Sequence, residues 1–112
     1  MLTIENLKAL GANTDEGLAR CLVKEDFYLR MVSMALADNG FEKLREAVTS
    51  GDHKEGFDRA HALKGVLSNV ARTTLADPIA EITEELRARS EIDYSGLLDR
   101  IDEELQKYRA LL

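Results

Sequence analysis

His61, Lys64 and Gly65 stand together in the run Ala60-His61-Ala62-Leu63-Lys64-Gly65, near the middle of the chain. On a helix, positions three and four residues beyond a histidine lie beside it on one surface patch. The patch then holds an imidazole, a cation next to it and an empty space above it. That set suits a ring that meets a large anionic group brought by another protein. A glycine inside a helix costs ~1 kcal/mol against alanine, so Gly65 calls for a reason to leave that space empty. Ser68 extends the small-residue strip by one more turn, where close docking of a partner needs small side chains. His53 lacks this setting. It falls in the first turn after Asp52 and takes no role.

The helix that must position these groups opens at Asp52 and Glu55, which read as a capping box, and runs to about Ala71. Its inward stripe is Phe57, Ala60, Leu63, Leu67 and Val70, spaced 3, 3, 4 and 3. His61 stands one step, about 100° of helix rotation, off that stripe, at the edge of the core and within reach of a partner.

Helical periods separated by short breaks fill the rest of the chain. Thr3 caps a short first helix with Ile4, Leu7 and Leu10 on one face and Gly11 as its stop. Asn13-Thr14-Asp15-Glu16 opens a second, whose apolar face is Leu18, Cys21 and Leu22. A longer helix is predicted over 25–38, with Phe27, Met31, Met34 and Ala35 at helical spacing. Gly40 is placed at the left-handed position of a Schellman motif, with Phe41 folding back on Leu36. The next helix, 41–49, turns Phe41, Leu44, Ala47 and Val48 inward and ends at Ser50-Gly51. After the break at Ala71-Arg72-Thr73-Thr74, either Thr74 or Asp77 caps the next helix. Pro78 then falls at the end of its first turn or at the favoured first position. Ile79, Ile82 and Leu86 face inward, and the helix ends near Arg89-Ser90. The last helix starts at Asp93, with an Ile92–Leu97 staple and a stripe of Leu97, Ile101, Leu105, Tyr108 and Leu112. Glu104 and Tyr108 also fall at the rim. Four amphipathic helices joined by short loops give an all-α, antiparallel up-and-down four-helix bundle, with one or two short N-terminal helices over one end.

Bulk composition agrees. The 112 residues fit a single domain, 1–112, and 45% apolar residues supply a core. A net charge of −6 with no basic run argues against nucleic acid, which needs a basic surface. Cys21, the only cysteine, reads as a buried thiol and precludes an internal disulfide. No apolar stretch approaches a membrane span and the N-terminus does not resemble a signal peptide, so a cytoplasmic location is expected. Met1, closely followed by a helix, favours a free-standing chain.

The hexapeptide, followed by Leu67-Ser68-Asn69-Val70, resembles the signature of histidine-containing phosphotransfer (HPt) domains of multistep phosphorelays. The resemblance covers most of the chain. Glu16-Gly17-Leu18 and the Phe27-Tyr28 helix are similar to the family's first half, and Leu75 to Leu86 to the helix after the signature. Val66 stands where the family commonly has a small hydroxyl residue, and Ala71 where it commonly has a glycine. Both departures concern packing or termination more than phosphoryl chemistry.

The resemblance implies that His61 takes a phosphoryl group from an aspartyl phosphate on a receiver domain and hands it to a second receiver. A neutral imidazole nitrogen is the nucleophile, in line with the P–O bond. An ordinary histidine is mostly neutral near about pH 7.5, so no strong base is needed. Lys64 compensates charge on the phosphoryl group, and Gly65 keeps the approach clear. Mg²⁺ belongs to the receiver's acidic pocket, and this chain binds no metal or cofactor itself. The partners implied are response-regulator receiver domains, including that of a hybrid histidine kinase, met by a monomer without membrane or nucleic acid. Lacking a Gly-rich phosphate loop, the chain is a carrier rather than an ATP-dependent enzyme. Val66 and Ser68, with Met31 and Met34 of the long preceding helix, are candidates for the docking patch, although the two methionines also fit an ordinary core. Two other classes compete: a four-helix interaction module without phosphotransfer, and a metal-binding bundle. The second has only Asp58-Arg59-Ala60-His61 in its favour, unrepeated and with Asp in place of Glu.

Overall fold

The computed structural model describes residues 1–21, 24–70, 74–89 and 91–112, with all their side chains except those of Arg20, Ser68, Asn69 and Val70. Regular structure among them is entirely helical: α1 (Ile4–Ala9), α2 (Thr14–Arg20), α3 (Glu25–Leu36), α4 (Gly40–Thr49), α5 (His53–Val70), α6 (Ala76–Arg87) and α7 (Ser95–Arg109). The expectations for Leu22, for the side chains of Ser68 and Val70, for the break at 71–73 and for Ser90 fall outside the described residues.

α5 is the central element. It packs against α2, α3, α4 and α6, while α7 closes on α6 and α3. Its start is set by Asp52, whose Oδ1 accepts from the Glu55 amide at 3.1 Å. The reciprocal half of the capping box does not form: the Asp52 amide donates to the Ala47 carbonyl at 2.9 Å, and the Glu55 carboxylate accepts from Arg59 Nε at 2.7 Å. Ala60, Leu63 and Leu67 are buried and fix the rotation of α5, whereas Phe57 is only half-buried.

The first two caps form as the sequence indicates. Thr3 Oγ1 accepts from the Asn6 amide at 3.1 Å, and Asn13 Oδ1 from the Glu16 amide at 3.1 Å. Gly11 ends α1 with φ +98°.

Gly40 departs from expectation. It opens α4 with a right-handed backbone rather than closing α3, and its amide donates to Asp38 Oδ1 at 2.6 Å. A Cβ on Gly40 would lie 2.9 Å from Asp38 Oδ1 and 3.2 Å from Leu63 Cδ2, so the Asp38 side chain and the close approach of α5 together favour glycine there. The Schellman arrangement occurs instead at the end of α4. Gly51 has φ +85°, and the Gly51 and Asp52 amides donate back to the Val48 and Ala47 carbonyls.

α3 is rotated by one residue from the expected face. Tyr28, Val32, Ala35 and Leu36 are buried, while Phe27 is 47% and Met34 62% exposed and Met31 is half-buried. Burial pushes the Tyr28 hydroxyl pKa up to about 12.

α6 takes Leu75 as its N-cap rather than Thr74 or Asp77. Pro78 is the third helical residue, within the first turn, where its missing N–H forfeits no helical bond. Thr74 is engaged elsewhere: its hydroxyl bonds Glu104 at 2.7 Å, and its amide donates to the Tyr108 hydroxyl at 3.2 Å. That hydroxyl donates in turn to the Leu10 carbonyl at 3.2 Å, so Tyr108 is a fully buried tie rather than a rim residue. The bond from Thr74 and the nearby Lys107 hold the Glu104 carboxyl below its ordinary pKa.

α7 starts two residues later than Asp93, whose Oδ1 accepts from the Ser95 amide at 2.9 Å. Its buried stripe is Leu98, Ile101, Leu105 and Tyr108. Ile92 is 46% exposed, so no staple forms across the start, and Leu112 is exposed rather than part of the stripe. Arg45 of α4 ties to Asp99 and Asp102, and Arg109 reaches the Leu36 carbonyl and Glu42.

Candidate functional site

Burial of Ala60 and Leu63 turns the neighbouring positions of α5 outward. His61 is exposed, Lys64 half-buried and Gly65 exposed. The three sequence candidates therefore share one outward face, as their spacing requires. Val66 is half-buried and packs on the core, as does Met31, whereas Met34 projects into solvent. The Ser68 side chain lies outside the described residues.

Two glycines of α5 separate packing from access. A Cβ at Gly56 would lie 2.9 Å from Val48 Cγ2, so the approach of α4 demands glycine there. At Gly65 a Cβ would meet nothing within 4 Å. Among the described residues no contact explains that glycine, and the space above it is open. Gly65→Ala is therefore expected to stabilise the fold by up to ~1 kcal/mol, the gain in helix propensity. Gly56→Ala is expected to destabilise it by about 1 kcal/mol, overpacking outweighing the same gain. Thermal melts of the two variants moving in the same direction would contradict this distinction.

The imidazole has a neighbour that sequence reading assigned to the core. Phe57 stacks on His61 with ring centroids 5.7 Å apart and planes 15° from parallel. The Arg87 guanidinium, from the last turn of α6, stands 5.4 Å from the Phe57 ring centroid. Phe57 precedes His61 by four residues, and that spacing was the available signal for their contact. Arg87 gave no such signal, because only the packing of α6 on α5 brings it near. His53 meets Tyr94 edge-on at 5.4 Å and forms no part of this face-to-face stack.

An exposed imidazole, held flat against one ring and open on the side of Gly65, can accept a group only from outside the molecule. No group of three metal-ligating side chains is present among the described residues, and none of their helices is long and apolar enough to cross a membrane.

A family model for the Hpt domain matches residues 30–111. The chain belongs to the Hpt domain family. Hpt domains are phosphotransfer modules of two-component signalling and work with response-regulator receiver domains. The matched region begins within α3 and takes in all of α4 to α7, including the whole neighbourhood of His61. Comparisons with curated proteins and with solved structures give no match.

Proposed function

We propose that His61 is the phosphoacceptor of this Hpt domain, taking a phosphoryl group from an aspartyl phosphate on one receiver and passing it to another. The observation that carries this is the exposed His61 ring beside a glycine whose side-chain space is empty. In the forward step a neutral imidazole nitrogen forms the P–N bond as the P–O bond to the donor aspartate breaks, and the aspartate leaves as carboxylate. Mg²⁺ held by the receiver, not by this chain, would supply charge compensation to the transferring phosphoryl group. Lys64 supports the phosphoryl oxygens from this side. Gly65 lets the donor come within the ~3–3.5 Å that in-line attack needs.

On this reading the chain is a monomeric, cytoplasmic carrier without kinase activity, able to serve receivers that include that of a hybrid kinase. Its longer helices form an antiparallel four-helix bundle within a single domain. Exposed Met34 and half-buried Met31 and Val66 belong to the docking surface on this reading, and Ser68 joins them by its helical spacing from His61 alone.

The test is incubation with a phosphorylated receiver and Mg²⁺. The label transferred should be acid-labile and base-stable, as phosphohistidine is, and a second receiver should discharge it. A folded chain that stays unlabelled is an interaction module instead. Lys64→Ala is expected to slow transfer about fivefold, the effect of a solvent-accessible charge worth up to ~1 kcal/mol. Unchanged transfer rate and phosphohistidine lifetime would remove Lys64 from the mechanism.

A further inference from the structure

A cleft opens where the first turns of α5 meet the end of α6. It has a volume of about 440 Å³ and is lined by His53, Lys54, Phe57, Leu86, Arg87 and Arg89. Phe57 and Leu86 give it an apolar floor, and Lys54, Arg87 and Arg89 are exposed cations around it. Three fixed positive charges thus converge on one cleft of a chain whose net charge is −6. Their only carboxylate partner among the described residues is Glu84, at 3.8 Å from Arg87. Arg89 adopts a left-handed backbone, φ +55°, just past the end of α6, a position glycine ordinarily fills. The Phe57 ring in the floor of this cleft is also the ring stacked on His61, so the cleft adjoins that imidazole.

The charge distribution gives this position a consequence. A phosphoryl donor is anionic at its reacting centre, and an acidic carrier repels it. Screening at physiological salt confines that repulsion to about 8 Å, so local charge rather than net charge decides the encounter. On α5 itself Asp58 and Lys64 flank His61 with opposite signs, and beyond Phe57 the cations of the cleft tip the balance. A small free anion would use only the cationic rim and leave the Phe57 and Leu86 floor in water. A peptide segment carrying both carboxylates and an apolar side chain satisfies both.

We propose that this cleft docks an acidic segment of the receiver that exchanges phosphoryl groups with His61. Its carboxylates meet Lys54, Arg87 and Arg89, and an apolar side chain seats on Phe57 and Leu86. The assignment rests on His61 being the phosphoacceptor.

The double variant Lys54→Glu/Arg89→Gly tests it in the full chain. Glutamate suits the first turn of a helix, and glycine suits the left-handed position, so folding is preserved. Transfer is measured from the receiver, charged with acetyl phosphate and Mg²⁺, that labels the wild-type chain fastest. The second-order rate is expected to fall about tenfold at low salt, and its dependence on ionic strength to flatten. Lys8→Glu/Lys43→Gln changes net charge by the same amount elsewhere and is expected to have little effect. Equal rates and salt slopes for the cleft variant and wild type overturn the cleft, as does an equal loss in the control. Inorganic phosphate alone, at millimolar concentration, should leave the amide signals of the cleft unmoved. Saturating shifts there would make it a small-anion site and overturn the docking assignment. Absence of label on His61 in the wild-type chain overturns the phosphoacceptor reading itself, and the cleft's role with it.

Discussion

Replacement of His61 by glutamine is expected to abolish phosphoryl acceptance and leave the helical fold intact. The two effects separate because of where the side chain sits. His61 is exposed, and its described ring contact is the stack on Phe57, so its loss removes little buried area. Glutamine is the better helix former of the two by a few tenths of a kcal/mol. Stability should therefore change by no more than ~0.5 kcal/mol, as for most surface substitutions. The amide nitrogen of glutamine, by contrast, has no lone pair available for attack on phosphorus. Label from a charged receiver should fall to background while the melting curve is retained. Full labelling of a folded His61→Gln chain would place the acceptor elsewhere.

Gly65→Gln should produce nearly as large a loss with the acceptor still present. Its side chain would project from the position four residues beyond His61, into the space the donor has to occupy. The fold should tolerate it, since a Cβ there meets nothing within 4 Å, and helix propensity even favours it by up to ~1 kcal/mol. Transfer is expected to fall about 100-fold, the scale of a misplacement of about 1 Å between reacting groups. The signature is thus a more stable protein that transfers poorly. A variant that melted higher and transferred at the wild-type rate would show that the space above Gly65 is not the donor's path.

The caps were readable because they are local. Thr3, Asn13 and Asp52 each bond an amide three residues ahead, and that geometry depends on nothing distant. The face of α3 was not readable in the same way. Phe27, Met31 and Met34 have the same spacing as Tyr28, Val32 and Ala35, and only packing against α5 and α7 selects the second set. Gly40 misled for a related reason. A glycine after Asn39 has the local character of a helix stop, but its role is set by the Asp38 side chain on one side and by Leu63, far along the chain, on the other. In α7, Leu97 and Leu98 both lie at helical spacing from Ile101, and it is packing that buries Leu98 and leaves Leu97 half-buried.

The site divides similarly. His61, Lys64 and Gly65 lie within one helical turn and a half, so their common face follows from the helix alone. The spacing of Phe57 to Ala60 also fits the inward stripe, so sequence alone places it in the core. It lies at the boundary of the two faces, with one role in each. Arg87 and Arg89 reach the neighbourhood only through the packing of α6 on α5, and no spacing in the sequence encodes that.

The central claim is that His61 carries the phosphoryl group, and residue-level localisation tests it most directly. The wild-type chain, labelled by a charged receiver and kept alkaline, is digested and its phosphopeptides are sequenced by mass spectrometry. The phosphate is expected on His61 alone, with His53 unmodified in the same digest. Phosphate on His53 or on any other side chain, with His61 unmodified, would contradict it.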